Sequence, residues 1–339
     1  MIYYRPIPLA DPVRPRDALP LAGGALVFDR VEILERARPP VVVPVSDLPD
    51  AVLAPLIAQR PDVAGLVMDR PRIMGILNVT PDSFSDGGRF AALPEALARA
   101  QAMVADGADM LDIGGESTRP GAADVDPAEE IARTAPVIEL LRGQGLSTPI
   151  SIDTRKAAVA AAALKAGADL VNDVAALTHD PGLAAVVADH AAPVCLMHAQ
   201  GTPDTMQADP RYDDVLLDVY DWLADRIRAA EAAGIPRARI VTDPGIGFGK
   251  TVAHNLALVR RLSLFHGLGC PILLGASRKR FIGTLADEPV ADRRMAGSVA
   301  VALAGAAQGA QILRVHDVRE TRQALTVWRA VTEAEGEQA

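Results

Sequence analysis

The sequence predicts an α/β protein, a (β/α)8 barrel carrying a small N-terminal βα appendage, and two observations support this. Eight short apolar runs recur from Ile73 to the C-terminus, separated by Ala-rich segments with helical spacing, the alternation expected of parallel βαβ units. Nearly every run also ends in a polar cluster containing Asp, Asn, His, Arg or Ser-Arg-Lys. A parallel barrel builds its active site from the loops after its strands, so the coincidence places the chemistry at one mouth. Six to eight such units can also form an open doubly wound sheet, and the pattern alone leaves that alternative open.

In chain order the runs with their tails are IMGILNVTPDSFSDGG from Ile73, MLDIGGESTRPG from Met110, PISIDTRK from Pro149, DLVNDV from Asp169, PVCLMH from Pro193, RIVTDPGIGFGK from Arg239, PILLGASRK from Pro271 and QILRVHD from Gln311. They are apolar on both faces, as strands covered by helices must be. Helical spacing marks residues 93–106, 127–142, 156–166, 212–233 and 252–262, and after the seventh run a short helix over 279–285 precedes a longer one over 292–308. Gly107, Gly143, Gly145, Gly167, Gly234 and Gly309 fall where helices end and the chain turns toward the next strand, a position that favours left-handed backbone.

Residues 1–70 read as a separate extension and residues 71–339 as the barrel. In the extension, ALVFDRVEIL from Ala25 predicts one or two strands, VVVPV from Val41 another, and 50–59 a short helix. The Pro-rich opening over 6–20 is expected to wrap the surface, and the whole to pack on the barrel's bottom or side. No chemical motif lies there.

Half of the 339 residues are apolar, enough for a large core. A net charge of −9 argues against a nucleic-acid or anionic-membrane partner, although a local cluster such as Arg278, Lys279 and Arg280 can still hold phosphate. Cys195 and Cys270 each sit inside an apolar run without CxxC spacing, which predicts buried, reduced thiols and fits a cytoplasmic location. The N-terminus has neither the basic start nor the apolar core of a signal peptide.

Asp112, Asp153, Asn172 and Asp243 each stand at or beside a strand end. Any one of them could simply cap the next helix. Four at equivalent positions would instead project into one mouth, where acceptors suit a flat heterocycle with ring N–H groups and an exocyclic amine. Lys279 reads either as a solvated helix-start lysine or as a donor to a ligand, with Gly275 and Ala276 leaving room and Ser277 supplying a hydroxyl. Arg280 is expected in solvent. Arg314 and His316, two apart on the last strand, point to one side and read as an anion clamp, whereas His198 divides evenly between a structural and a functional role.

Loops 80–90, with Phe84, and 114–121, with Glu116, Thr118, Arg119 and Pro120, are either solvated connections or lids that exclude water. Asn78 either turns the chain or ligates Mg²⁺, which takes few protein oxygens. In DPGIGFGK, the end of the phosphate-loop pattern is present, but Pro244 holds the position of its first Gly, so nucleotide binding is rejected. Its glycines instead let the backbone approach a flat ligand, with Phe248 available for stacking.

These segments, taken in order, closely resemble the bacterial dihydropteroate synthase family: MGILNVTPDSFSDGG from Met74, DIGGESTRPGA from Asp112, SIDTRK, VNDV, LMH, DPGIGFGK, GASRK and RVHDV. The resemblance covers the chain from about Ile73 onward and implies a (β/α)8 barrel that condenses 6-hydroxymethyl-7,8-dihydropterin diphosphate with p-aminobenzoate. It implies pterin contacts from Asp112, Asp153, Asn172, Asp243 and Lys279, with Met197, Phe248 and Gly275 in the pocket. Asn78, Thr118, Arg119, Arg314 and His316 would handle the diphosphate and its Mg²⁺, while Ser277, Phe84 and Pro120 would meet p-aminobenzoate. Asp112, Asp153, Lys279 and Arg314 are the expected catalytic residues, and a homodimer is the expected assembly. Two rivals are a pterin-dependent methyltransferase, which should lack the SFSDGG, STRPG and SRK set, and a non-catalytic pterin-binding paralogue, which should have lost a loop residue or the terminal Arg-x-His. All of these are intact here.

Overall fold

The computed structural model describes residues 1–79, 88–116, 124–201, 206 and 208–332, with only the backbone of 88–92. Eight strands form one parallel sheet: β6 (Arg72–Asn78), β7 (Met110–Gly114), β8 (Ile150–Asp153), β9 (Leu170–Asp173), β10 (Val194–Met197), β11 (Ile240–Asp243), β12 (Leu273–Leu274) and β13 (Ile312–Val315). Each pairs with its sequence neighbour, β13 returns to β6, and a parallel bridge between Thr242 and Ile272 joins β11 to the start of β12. The sheet therefore closes into a barrel, and the open alternative is excluded.

Strand register explains where the site lies. Met74, Met110, Leu170, Cys195, Val241, Leu273 and Ile312 point inward and form one buried apolar layer. Side chains repeat every second residue, so two positions further along these strands stand Ile76, Asp112, Asn172, Met197, Asp243, Gly275 and Arg314. The barrel interior thus changes from hydrocarbon to charge in one step toward the C-terminal mouth. Alternate residues such as Ile73, Leu111, Ile152, Val171 and Leu196 face outward into the core shared with the helices.

Those helices are α2 (Gly88–Ala105), α3 (Pro127–Gly143), α4 (Ala157–Ala166), α5 (Leu183–Asp189), α6 (Val215–Ala232), α7 (Val252–Arg260), α8 (Arg280–Ala286), α9 (Met295–Ala307) and α10 (Val318–Thr332). Several are capped by residues outside the site. The Asp126 and Asp214 side chains accept from the first turns of α3 and α6, and Thr251 with His254 forms a capping box on α7. Of the predicted helix-end glycines, Gly107, Gly145, Gly167, Gly234 and Gly309 are left-handed, with φ between 79° and 110°. Gly143 is not, because α3 runs through it and turns at Gly145 instead.

The first 70 residues contain β1 (Ile2–Pro6), β2 (Leu19–Pro20), β3 (Val27–Phe28), β4 (Arg30–Glu35), β5 (Val41–Pro44) and α1 (Asp50–Ile57). Strand β1 lies outside the sequence expectation; it pairs antiparallel with β4, which pairs with β5. A private core of Leu21, Phe28, Val31, Val45, Leu53 and Leu56 holds this unit together. It touches both surfaces anticipated for it. On the side, Tyr3 Oη donates to Asp221 of α6 at 2.8 Å, and Glu32 bridges Arg5 and Arg261 at 2.7 and 3.1 Å. At the bottom, Val63 and Met68 join the inward layer of the barrel and close its floor. The buried Arg60 guanidinium donates to the Ala58, Pro55 and His266 carbonyls, and burial pushes its pKa down to about 10.

Candidate active site

Arg314 organises the charged layer. From β13 its Nε donates to Asp112 Oδ2 on β7 at 2.5 Å and its Nη2 to Asp153 Oδ2 on β8 at 2.6 Å. Asn172 on β9 adds its Nδ2 to Asp112 Oδ2 at 3.2 Å. Among the described residues, the second oxygen of each aspartate, Oδ1, is buried without a hydrogen-bond partner, and so is Ser151 Oγ, one pleat below Asp153. Buried acceptors cost free energy until a donor reaches them, so this wall is built to receive N–H groups. Burial raises the Asp153 carboxyl to about 7, against the opposing pull of Arg314 and with help from the nearby Asp112 charge.

The helix-capping alternative fails for Asn172 because residues 174–177 form a turn and the next helix, α5, begins only at Leu183. Asp173 accepts from the Ala175 and Leu177 amides at 2.8 and 2.6 Å, leaving Asn172 to face inward. Asp243 orders its own loop and also faces inward: Oδ1 accepts from Gly245 N at 2.7 Å, while Oδ2 lies 3.4 Å from where a Cβ on Gly275 would stand. A side chain at residue 275 would enter the pocket, which gives this glycine its reason. Burial raises the Asp243 pKa, with the Gly245 amide and Lys279 pulling it back.

Lys279 is not a solvated helix-start lysine. Its Nζ donates to Ile246 O at 2.7 Å and stands 3.9 Å over the centre of the Phe248 ring, a cation–π contact. Burial pulls this amine down to about 7, with Asp243 pulling it back up. Its neighbour Arg278 turns away to Asp317 at 2.6 Å, and Arg280 is exposed.

The expected anion clamp is distributed differently. Arg314 is committed to the two aspartates, and His316, through both its backbone N and Nδ1, contacts Ser277 Oγ at 3.2 and 3.0 Å. Ser277 and His316 therefore form one polar group at the rim, with Arg314 below it. Asn78, at the end of β6, is half-buried; its Oδ1 lies 3.7 Å from the Cβ position of Gly114, which is 3.5 Å from Asp153 Cβ. Met197 is buried on β10 beside Asp243. Phe84, Thr118, Arg119 and Pro120 lie outside the described residues.

Two buried pairings escaped the sequence reading, Glu116 with Lys156 and His198 with Lys250. Glu116 is buried and accepts from Lys156 Nζ at 3.0 Å and from Val125 N at 2.9 Å, and Lys156 also reaches Glu130 at 2.9 Å. The signal was a lysine beside an apolar strand, since a buried ammonium requires carboxylates. His198 packs its ring edge-on against Trp222 at 4.9 Å, and Lys250 Nζ sits 2.9 Å from its Nδ1. Burial, reinforced by Lys250, lowers His198 to about 2, so its ring is neutral. Both cysteines are fully buried, as expected.

This barrel, with a carboxylate-lined mouth and a cation over an aromatic ring, matches the family described as pterin binding enzyme over residues 74–316. The chain belongs to that family. Among characterised relatives it is 51% identical over 270 residues to the dihydropteroate synthase of Neisseria meningitidis serogroup B, covering 78% of this chain and 94% of that protein. It is 46% identical over 269 residues to the Escherichia coli K12 dihydropteroate synthase, covering 79% and 94%. Among solved structures, a Xanthomonas albilineans dihydropteroate synthase with 4-aminobenzoic acid superposes with a TM-score of 0.75 at 51% identity, covering 80% of this chain and 97% of that one. The same enzyme in complex with 7,8-dihydropteroate gives 0.72 at 48% identity, covering 80% and 98%. The family match begins at Met74 and so leaves the N-terminal extension outside it.

Proposed function

We propose that this chain condenses 6-hydroxymethyl-7,8-dihydropterin diphosphate with p-aminobenzoate, giving 7,8-dihydropteroate and diphosphate in folate biosynthesis. The observation that carries the reading is the set of buried, unpartnered acceptors on Asp112 and Asp153 opposite Asp243 and Lys279. The ring N–H and exocyclic amine of a pterin supply the donors these acceptors require, and Phe248 and Met197 offer faces for its flat ring.

Chemistry follows from charge. The C–O bond at the pterin methylene breaks, diphosphate leaves with the electron pair, and the methylene becomes cationic. Asp112 and Asp153 stabilise that cation, while Arg314 and His316, joined by Arg119 and Thr118, stabilise the charge growing on the departing oxygen. The amine of p-aminobenzoate, held by Ser277, Phe84 and Pro120, then attacks the methylene and loses a proton. No covalent bond to the protein forms.

Magnesium belongs to the same proposal. Among the described residues no cluster of three or more His, Cys, Asp or Glu could hold a metal, so the fit is to an ion that takes few protein oxygens and shares the rest with phosphate and water. The Asn78 carbonyl oxygen, at the end of β6, meets that requirement. A bound Mg²⁺ would neutralise charge on the leaving diphosphate. Assembly as a homodimer and a cytoplasmic location are part of the reading too. No described helix is long and apolar enough to cross a membrane, and sedimentation tests the dimer. Purified protein given Mg²⁺ and both substrates is expected to form dihydropteroate and release diphosphate; absence of turnover by folded protein overturns the reading in favour of a binding paralogue.

A further inference from the structure

The loop after β11 carries a second buried lysine that the proposed reaction does not use. Lys250 is 3% exposed. Its Nζ donates to Phe248 O at 2.9 Å, stands 2.9 Å from His198 Nδ1, and reaches His198 O at 3.4 Å. Two residues earlier, Ile246 O accepts from Lys279 at 2.7 Å. Carbonyls two apart in one loop thus turn toward different lysines. Left-handed glycines at Gly245, Gly247 and Gly249, with φ of 69°, 83° and 62°, make this possible.

The loop is pressed against the segment that follows β10. A Cβ on Gly245 would collide with His198 O, and one on Gly249 with Gln200 O. Asn255 Oδ1 accepts from Gly247 N at 2.7 Å, and Tyr212 Oη donates to Gly249 O at 2.8 Å. Lys250 is the only one of these groups that ties the loop to His198 and Phe248 together. The far side of Phe248, its ring, lies under the Lys279 ammonium at 3.9 Å.

We infer that Lys250 is a positioning residue for pterin binding: by clamping His198 to the Phe248 carbonyl it fixes the Phe248 ring and the Ile246 carbonyl, and through them Lys279. This inference rests on the pterin-binding reading above. Among the described residues the hydrogen-bond partners of Lys250 Nζ are His198 Nδ1, His198 O and Phe248 O, none of them a carboxylate, and burial lowers its amine well below the ordinary lysine value with Asp243 only partly restoring it. Retaining a lysine at this desolvation cost suits a demand for its donors rather than for its charge.

The test is Lys250→Met in the full chain, which keeps the stem and deletes the donors. Binding of 6-hydroxymethyl-7,8-dihydropterin diphosphate is measured by calorimetry, and KM by turnover, in the native and Lys279→Ala backgrounds. With the Lys250 contacts to Phe248 O, His198 Nδ1 and His198 O released, the pterin Kd and KM rise about tenfold while the p-aminobenzoate KM stays within about twofold. In the Lys279→Ala background the same replacement changes the pterin Kd less than about twofold, because its effect passes through Lys279. Equal losses in both backgrounds, or equal rises in both KM values, overturn the inference. If Lys250→Met does not fold, Lys250→Gln, which keeps one donor, is judged by the same two criteria. Failure of the native chain to bind the pterin would overturn the functional reading itself, so the two failures are distinguishable.

Discussion

Replacing Arg314 by Met should destabilise the fold in a pH-dependent way. The guanidinium donates at 2.5 Å to Asp112, which is fully buried, and at 2.6 Å to Asp153, whose side chain is 7% exposed. Removing one side of a buried pair costs about 3–5 kcal/mol because the other charge is left unpaired. Since Arg314 is itself 20% exposed, water can partly replace it, and the lower figure of ~3 kcal/mol applies. At roughly 2 °C per kcal/mol for a chain of this size, Tm falls by about 6 °C near neutral pH.

The pH dependence follows from Asp153. Its carboxyl titrates at about 7 in the fold, against about 3.9 in the unfolded chain. The folded state therefore holds this proton longer, giving stability that is present below pH ~4 and lost as pH rises through about 7. Arg314 is the largest influence lowering that value, so its removal raises it further. The Tm deficit of Arg314→Met should be larger at pH 8.5, where the native pair is ionised, than at pH 5.5, where Asp153 carries its proton with or without Arg314. Thermal melts monitored by circular dichroism at both pH values measure this. A deficit equal at the two, or larger at pH 5.5, refutes the assignment of Asp153 as the strained partner.

Other perturbations have equally definite outcomes. Lys279→Ala should raise the pterin Kd at least about tenfold, since the site loses its ammonium donor and the Phe248 ring loses the cation that holds it, while the chain still folds; calorimetry and circular dichroism check it. Gly245→Ala places a Cβ into the His198 carbonyl at a φ of 69°, so it should cost about 2–3 kcal/mol and abolish pterin binding, as denaturant melts and titration would show. Deleting residues 1–70 removes Val63 and Met68 from the barrel floor and exposes Met74, Met110 and Leu170. At about 1.5–3 kcal/mol for each buried side chain lost, the truncated barrel should aggregate or melt far below the full chain in a thermal scan.

Much of this was legible in the sequence because strands punctuate strongly. The apolar runs, their polar ends and the glycines after helices located all eight barrel strands, and the alternation of Met110 with Asp112 or Leu170 with Asn172 already divides floor from site. What escaped was long-range pairing. Nothing local in RVHD says that Arg314 will reach Asp112, 202 positions earlier. Lys250 escaped for a related reason. Its motif was weighed as a nucleotide loop and rejected on Pro244, yet a lysine that serves two backbone carbonyls leaves no trace in side-chain patterning. β1 was missed because its partner β4 lies beyond a Pro-rich stretch, and IYYRP gives only 5 residues of signal. The extension's function as floor depends on Val63 and Met68, two apolar residues in an irregular segment without periodicity.

The measurement that tests the central claim most directly uses substrate with ¹⁸O in the oxygen joining the pterin methylene to the diphosphate. Incubated with the protein, Mg²⁺ and p-aminobenzoate, it should yield dihydropteroate without label and diphosphate carrying it, because the C–O bond breaks and the amine nitrogen takes its place. Mass spectrometry of both products reads the result. Label retained in a 6-hydroxymethyl pterin, with no dihydropteroate formed, would mean phosphate-bond hydrolysis and would contradict the account.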